Sequence, residues 1–398
     1  MTIKEQSLRN PLTALVELAE PEKSARGLLH TPFEIAQQPA TWESTFARVN
    51  QQREAIQRFL AKTLTKSPTV YLIGAGTSDY VGRALASILR KKWQCEVMAI
   101  PSTDLITNME NYVVPGREYL WISFSRSGDS SEGVGVLEMA LRQYPAVRHL
   151  VVACNKDGKM PRMCAALENA HVLLLDDAVN DRGLAMTSSF TNMVVAGHCL
   201  ANLAAPAEYR PILDGLVEMG RRMLAKAAPV AESVSRLGCR KACFVGSGAL
   251  AAAATESALK ALELTAGSVY TMAESTMGLR HGPMSALDDD TLFVCFLSSD
   301  ARRRRYEMDL LAEVHEKHLG RVRVAVAPEE NEELRRLCDH VIALEAPGDF
   351  PDDYRVPVDA ILGQLIGLFS SIEAGLQPDH PSPNGAINRV VSHVNIYP

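Results

Sequence analysis

The chain has 398 residues, of which 47% are hydrophobic and 22% charged, and a formal net charge of −6. That length suffices for two ordinary domains with full cores. The acidic balance argues against broad nucleic-acid binding, so an anionic ligand would have to be attracted by a local site rather than by the global field. Eight cysteines are scattered without a C-x-x-C, and several, such as Cys243 and Cys295, fall inside strand-like runs. This usage is expected of reduced thiols in a cytoplasmic protein. The opening MTIKEQSLRNPLTAL lacks an apolar signal region and no apolar run approaches membrane-spanning length, so neither a membrane nor a nucleic-acid partner is expected.

Residues 1–65 read as a helical N-terminal arm. Leu12, Leu15, Val16, Leu18 and Ala19 form one apolar stripe, and Trp42, Phe46, Val49, Ile56, Phe59 and Leu60 another, with Pro32 and Pro39 interrupting. The arm lacks the basic recognition helix of a DNA-binding headpiece. From Thr69 the pattern changes to a strand (69–73), a tight turn (74–78) and a helix (80–89). Further strands are expected at 96–100, 120–124, 149–154 and 171–175, followed by an apolar helix from Thr187 to Leu203. Strands alternating with helices imply a parallel sheet covered on both faces.

A helical connector (206–237), punctuated by Pro211 and Pro229, precedes a repeat of the same scheme. Strands are expected at 241–245, 291–297, 321–325 and 340–344, with helices at 251–264 and 359–373. VYLIGAGTSDYVGRALASIL and ACFVGSGALAAAATESALKAL are one strand–turn–helix unit used twice, an internal duplication with copies of about 150 residues. The expected organisation is therefore α/β, with two Rossmann-like parallel-sheet domains (66–205 and 238–375), the arm and connector, and a C-terminal tail at 376–398.

The most informative stretch is LWISFSRSGDSSEGVG, 120–135. A buried strand ends in Ser125-Arg126-Ser127-Gly128-Asp129-Ser130-Ser131, and a helix follows. Hydroxyls, amides at a helix N-terminus and a residue without Cβ suit a phosphate, to which Arg126 can add a charged fork. The plainer alternative is that Ser127 or Ser130 caps the helix. At the matching place the second copy has Leu297-Ser298-Ser299-Asp300-Ala301, without the glycine and with a carboxylate. Only the first half is expected to hold the anion, which leaves other chemistry to the second.

Several other groups carry alternatives. Gly74-Ala-Gly76-Thr77-Ser78-Asp79 resembles the start of a dinucleotide fingerprint, with Asp104 as a mimic of the ribose-binding acid, but Asp79 stands where the third glycine belongs. Thr77 and Ser78 suit a monophosphate better, and no nicotinamide or other cofactor is expected. Glu263, with Lys260 one turn before it, is either a surface ion pair or a partly desolvated proton shuttle. His281 in Arg280-His281-Gly282-Pro283 is either part of a capped turn or an acid/base near neutral pH. His315-Glu-Lys-His318 lacks metal-ligand spacing and reads as a solvated helix face, as does the basic run 302–305, so no metal site is expected.

Taken together, the two Rossmann-like copies, GAGTS, SRSGDS and LRHGP resemble the tandem sugar isomerase (SIS) domain family over residues 66–375. The resemblance implies that Ser78, Ser125, Arg126, Ser127 and Ser130 bind a sugar phosphate. Arg126 replaces a glutamine common in the related isomerase half of glucosamine-6-phosphate synthase. Lys260 and Glu263 fall on the family's Lys-x-x-Glu for proton transfer, and His281 on its ring-opening histidine. The spacing from Glu263 to His281 differs from the synthase, so loop 265–279 is expected to follow another path. Asp181 to Thr191 resembles a sugar-lining strand-to-helix turn, which makes Asp181, Ala185 and Thr187 substrate-contact candidates together with Thr77, Ser102 and Asp104.

PSTD (101–104), AMTSSFT (185–191), ALELTAG (261–267), RHGP (280–283) and SPNGAINRVV (382–391) resemble more closely the branch of tagatose-6-phosphate ketose/aldose isomerases, also described as galactosamine-6-phosphate deaminases. In the tail, Asn388 and Arg389 are the expected contacts. The resemblance implies a small-molecule sugar phosphate as partner and a homo-oligomer in which His281 can serve a neighbour's substrate. The expected activity is conversion of galactosamine 6-phosphate to tagatose 6-phosphate and ammonia through an enaminol. Simple isomerisation and a sugar-phosphate-sensing module are the alternatives.

Overall fold

The computed structural model describes residues 10–346, 350–391 and 394–397. Helices α1 (Pro11–Val16), α2 (Glu20–Arg26), α3 (Thr31–Ala36), α4 (Gln38–Gln51) and α5 (Arg53–Leu64) form the arm. The first sheet system follows: β1 (Thr69–Gly74), α6 (Thr77–Trp93), β2 (Val97–Pro101), α7 (Ser102–Asn108), β3 (Tyr119–Ser125), α8 (Ser131–Gln143), β4 (Arg148–Ala153), α9 (Lys159–Cys164), β5 (Ala170–Leu174) and α10 (Ser188–Ala201). The long α11 (Pro206–Ser235) leads to β6 (Lys241–Gly246), α12 (Leu250–Leu264), β7 (Tyr270–Ser275), β8 (Thr291–Phe296), α13 (Ala301–Glu316), β9 (Val322–Ala327), α14 (Glu332–Leu337), β10 (His340–Ala343) and α15 (Asp352–Glu373).

Each system is a five-stranded parallel sheet. The orders are β2-β1-β3-β4-β5 and β7-β6-β8-β9-β10, so the second repeats the first strand for strand. Two glycines show why the repeat is legible. Gly74 ends β1 and Gly246 ends β6, and a Cβ on either would lie 2.3 Å from Ser78 C or 2.5 Å from Leu250 O, so the chain can fold back into the next helix only without one.

Strand β7 lies where the loop 265–279 was expected. It sits at a sheet edge, pairs only with β6 and is half-buried to exposed, with Tyr270 69% exposed. A strand that buries no continuous apolar face leaves no apolar run to read. Helix α15 begins at Asp352, about two turns before the expected Asp359, and runs through Pro357, a residue that usually marks a helix boundary.

The described residues of the chain form two compact units. One comprises residues 10–39, 181–187, 214–346 and 350–386 and carries β6–β10; the other comprises residues 40–180, 188–213, 387–391 and 394–397 and carries β1–β5. The arm and the tail are thus each divided between units. In the β1–β5 unit, Trp42 Nε1 donates to Thr191 Oγ1 (3.0 Å) and Thr45 Oγ1 to Asn192 Oδ1 (2.7 Å), which fixes α4 on α10. In the β6–β10 unit, Gln38 Nε2 donates to Gln364 Oε1 (2.7 Å).

The core of the first sheet gathers Tyr71, Ile73, Ile100, Trp121 and Val136, and that of the second Val245, Phe293, Leu310, Leu311 and Ala325. Each fully buried Leu, Ile, Val or Phe contributes about 1.5–3 kcal/mol. Cys243 and Cys295 lie in the second core as free thiols, where burial raises both thiol pKa values. Among the described residues one helix, Asp352–Glu373, is long and apolar enough to cross a membrane, a length the linear sequence was not expected to reach. It is a core helix: 83% of its apolar window is buried inside the protein.

Candidate active site

In the β1–β5 unit, β3 delivers its last residue, Ser125, into the serine-rich turn. Gly128 adopts φ +70°, a left-handed conformation that favours glycine. Ser125 Oγ accepts from Gly128 N (2.9 Å) and Ser127 Oγ from Asp129 N (3.1 Å). A hydroxyl that accepts one N–H keeps its own hydrogen to donate, so both can still serve an anion. Ser130 occupies the N-cap position of α8, but its side chain accepts no helix amide. Capping therefore does not account for Ser130. The turn is closely backed by other glycines: a Cβ on Gly133 would lie 2.8 Å from Ser130 Oγ, and one on Gly158 would lie 2.5 Å from Ser127 O.

Arg126 is buried, and its Nη2 donates to the carbonyl of Arg389 in the tail. Arg389 Nη2 donates to Asn180 Oδ1 (2.9 Å), and Ser131 N, the first amide of α8, donates to Val391 O (3.3 Å). Tail main chain thus occupies donors at this turn. Asn388 is exposed. Thr77 and Ser78 are buried in the first turn of α6, behind Gly76 at φ +55°. Ser102 is buried at the start of α7 with no hydrogen-bond partner for its hydroxyl among the described residues, whereas Asp104 is exposed. Asp79 is buried and pairs with Arg83 (2.8 Å), and burial raises its pKa. A carboxylate in the first helical turn, where a pyrophosphate would lie, opposes a dinucleotide at this G-x-G.

In the β6–β10 unit, α12 presents Glu256, Lys260 and Glu263 in line. Lys260 Nζ lies 2.5 Å from Glu263 Oε2 and 3.5 Å from Glu256 Oε1. Lys260 and Glu256 are fully buried, while the Glu263 side chain is 25% exposed and forms the accessible end of the row. This is not a surface ion pair. A buried ammonium flanked by two carboxylates is held by both, and losing one partner of such a pair typically costs about 3–5 kcal/mol. Helix α15 crosses closely at this point because Gly363 and Gly367 have no side chains; a Cβ on them would lie 2.3 Å from Ser257 Cα and 2.8 Å from Lys260 O.

His281 ends a short 3-10 turn, Gly278–His281. Leu279 is buried and Arg280 Nε donates to Glu313 Oε2 (2.7 Å), which anchors the turn and leaves His281 exposed. The structure brings Lys260 and Glu263 together and gives His281 no hydrogen bond to either. The loop 181–187 is held from within: Asp181 accepts from Thr187 N (2.8 Å) and Thr187 Oγ1 (3.2 Å), and Ala185 is buried. Glu34 accepts from the amides of Arg182 and Gly183, and burial with the charges of Asp181 and Asp379 pushes its pKa up to about 8. Among the described residues, no group of His, Cys, Asp and Glu is arranged to hold a metal ion.

The SIS domain family matches residues 237–366. D-galactosamine-6-phosphate deaminase AgaS of Escherichia coli is 36% identical over 92% of this chain and 95% of its own length. The crystal structure of tagatose-6-phosphate ketose/aldose isomerase from Escherichia coli superposes with a TM-score of 0.84 at 33% identity, covering 92% of this chain and 96% of that one. This chain belongs to the SIS family. It is an SIS enzyme of the sugar-phosphate isomerase/deaminase group. The C-terminal domain of glucosamine-fructose-6-phosphate aminotransferase from Francisella tularensis shares the fold, with a TM-score of 0.72 at 19% identity over 87% of this chain and 96% of that one.

Two features of this SIS enzyme escaped sequence reasoning. Glu256 lies four residues before Lys260, so its place on the same helix face was the available signal. Glu34 joins Arg182 and Gly183 across 148 and 149 residues of chain, and no local pattern announces such a contact.

Proposed function

We propose that this SIS enzyme converts galactosamine 6-phosphate to tagatose 6-phosphate and ammonia. The observation that carries the reading is the row Glu256–Lys260–Glu263, with only its last carboxylate accessible. His281 opens the pyranose by moving a proton from O1 to O5. Glu263 takes the proton from C2, giving an enaminol, and returns a proton to C1. The C2–N bond becomes an imine, which water hydrolyses to the ketose and ammonia. Lys260 offsets negative charge developing on the substrate oxygen. The hydroxyls of Ser125, Ser127 and Ser130 and the first-turn Ser78 grip the phosphate, far from the reacting carbons, and so supply orientation.

The deaminase name of the Escherichia coli relative supports this reading. The structural relative, a tagatose-6-phosphate ketose/aldose isomerase, favours a second one, in which the same shuttle acts on a hydroxy sugar and no ammonia leaves. Ammonia release from galactosamine 6-phosphate beside glucosamine 6-phosphate separates them. Release from the galacto sugar alone is expected. No release from either at saturating concentration, with tagatose 6-phosphate still isomerised, sinks deamination. Mixing Glu263→Gln with His281→Ala tests whether subunits share a site: restored activity means that they do.

A further inference from the structure

The β1–β5 unit holds a second concave site, lined by none of the residues of the serine-rich turn. A cavity of about 510 Å³ lies against strand β5 between α4 and α9. Its floor is apolar, with Pro161, Val172 and Leu174, and its rim carries Arg48, Lys156 and Arg162. Lys156 and Arg162 are exposed and make no ion pair among the described residues. Among the described residues, Arg48 is held only by the half-exposed Asp176, at 3.4 Å. Three cations around one hollow are notable in a chain of net charge −6, because they create a local field opposite to the global one.

Strand β5 is also the edge of its sheet, so its outer backbone donors and acceptors have no strand partner. Cationic rim, open hydrogen-bonding edge and apolar floor match an anion joined to a small polyhydroxylated body, and the volume suits a small molecule. The α9 segment that forms one wall also backs the serine-rich turn. Lys159 N donates to Asp129 Oδ1 (2.9 Å), Met160 N to Gly128 O (2.9 Å), and Asn155 Nδ2 to Ser127 O (3.0 Å).

We propose that this cavity binds a phosphorylated small molecule, and that its occupancy alters the grip of the serine-rich turn through α9. The coupling rests on reading that turn as the substrate-phosphate site; the binding does not. Equilibrium dialysis of labelled inorganic phosphate against the full chain tests it. The wild type is expected to bind two equivalents. Lys156→Gln/Arg162→Gln is expected to bind one and to keep its turnover in phosphate-free buffer. Ser127→Ala/Ser130→Ala is expected to lose the other. Phosphate inhibition of the wild type is expected to be mixed, and that of Lys156→Gln/Arg162→Gln purely competitive.

A wild type that binds no phosphate, or whose bound phosphate is unchanged by Lys156→Gln/Arg162→Gln, overturns the proposal. Loss of one equivalent in Lys156→Gln/Arg162→Gln with none lost in Ser127→Ala/Ser130→Ala supports the cavity and refutes the reading of the turn. Competitive inhibition alike in both proteins removes the coupling.

Discussion

The turns after β3 and β8 occupy the same place in two copies of one sheet, yet their hydroxyls and amides meet different partners. After β3, Ser125, Ser127 and Ser130 keep hydroxyl hydrogens available beside the start of α8. After β8, the chain fills the turn with its own carboxylate. Asp352 Oδ1 accepts from Ser299 N (2.7 Å), and its Oδ2 accepts from Ser298 Oγ and lies 3.2 Å from Arg303 Nη2. Arg355 Nη1 is 3.4 Å from Asp352 Oδ1, and Glu307 Oε2 accepts Ser298 N (2.6 Å). Asp300, the carboxylate that the sequence set beside this turn, caps α13 by accepting from Arg303 N (2.8 Å). In the second turn a side chain of the protein, Asp352, stands where the first turn is proposed to take the substrate phosphate.

The most severe break of this comparison is Asp352→Gly. Removing the carboxylate leaves the Ser299 amide without its acceptor, takes from Arg303 its 3.2 Å partner and takes from Arg355 one of its two carboxylates, Asp359 remaining, and a loss of about 3–5 kcal/mol is expected. Thermal unfolding should then respond to added phosphate more strongly than in the wild type. A variant equally destabilised but indifferent to phosphate shows that Asp352 does not stand in for an anion. Ser127→Ala/Ser130→Ala probes the open turn and is expected to raise KM for the sugar phosphate about 100-fold, or about 2.7 kcal/mol, with little change in melting temperature. Reversed effects, on stability rather than KM, would make the first turn structural as well.

The cores beside the two turns differ in pH response. His149, buried behind Trp121, has its pKa lowered to about 4 by burial, so the folded state refuses a proton that the unfolded chain accepts. Its contribution is complete above about pH 6.5 and is lost as pH falls toward 4. Asp359, buried beside Arg355, has its pKa raised to about 6 by burial, and its contribution falls as pH rises from 3.8 to 6. His149→Phe should therefore remove about 2 kcal/mol of acid sensitivity at pH 5 relative to pH 7, read from urea unfolding. An unchanged pH profile would mean that His149 is not the acid-labile group.

Both sheets were legible because β1 and β6 are continuous apolar runs that end in glycine-bounded turns, and parallel strands buried on both faces leave that signal. β7 was not, because an exposed edge strand needs no apolar run. The serine-rich turn was legible from its density of hydroxyls and glycine, and Lys260 with Glu263 from helical spacing. The partners that finish these groups lie far along the chain: Asp352 meets Ser298 across 54 residues, and Arg126 meets the Arg389 carbonyl across 263. Such contacts are set by tertiary packing. Asp181 shows the same effect locally, since its carboxylate holds Thr187 within the loop proposed to line the sugar.

The central claim is that Glu263, at the accessible end of a buried row, moves the substrate proton. The most direct measurement is ammonia release from galactosamine 6-phosphate by Glu263→Gln, with ligand affinity measured in parallel. Unchanged affinity with kcat reduced by about 10²–10⁴-fold is the expected result. Ammonia release at the wild-type rate by Glu263→Gln would contradict it.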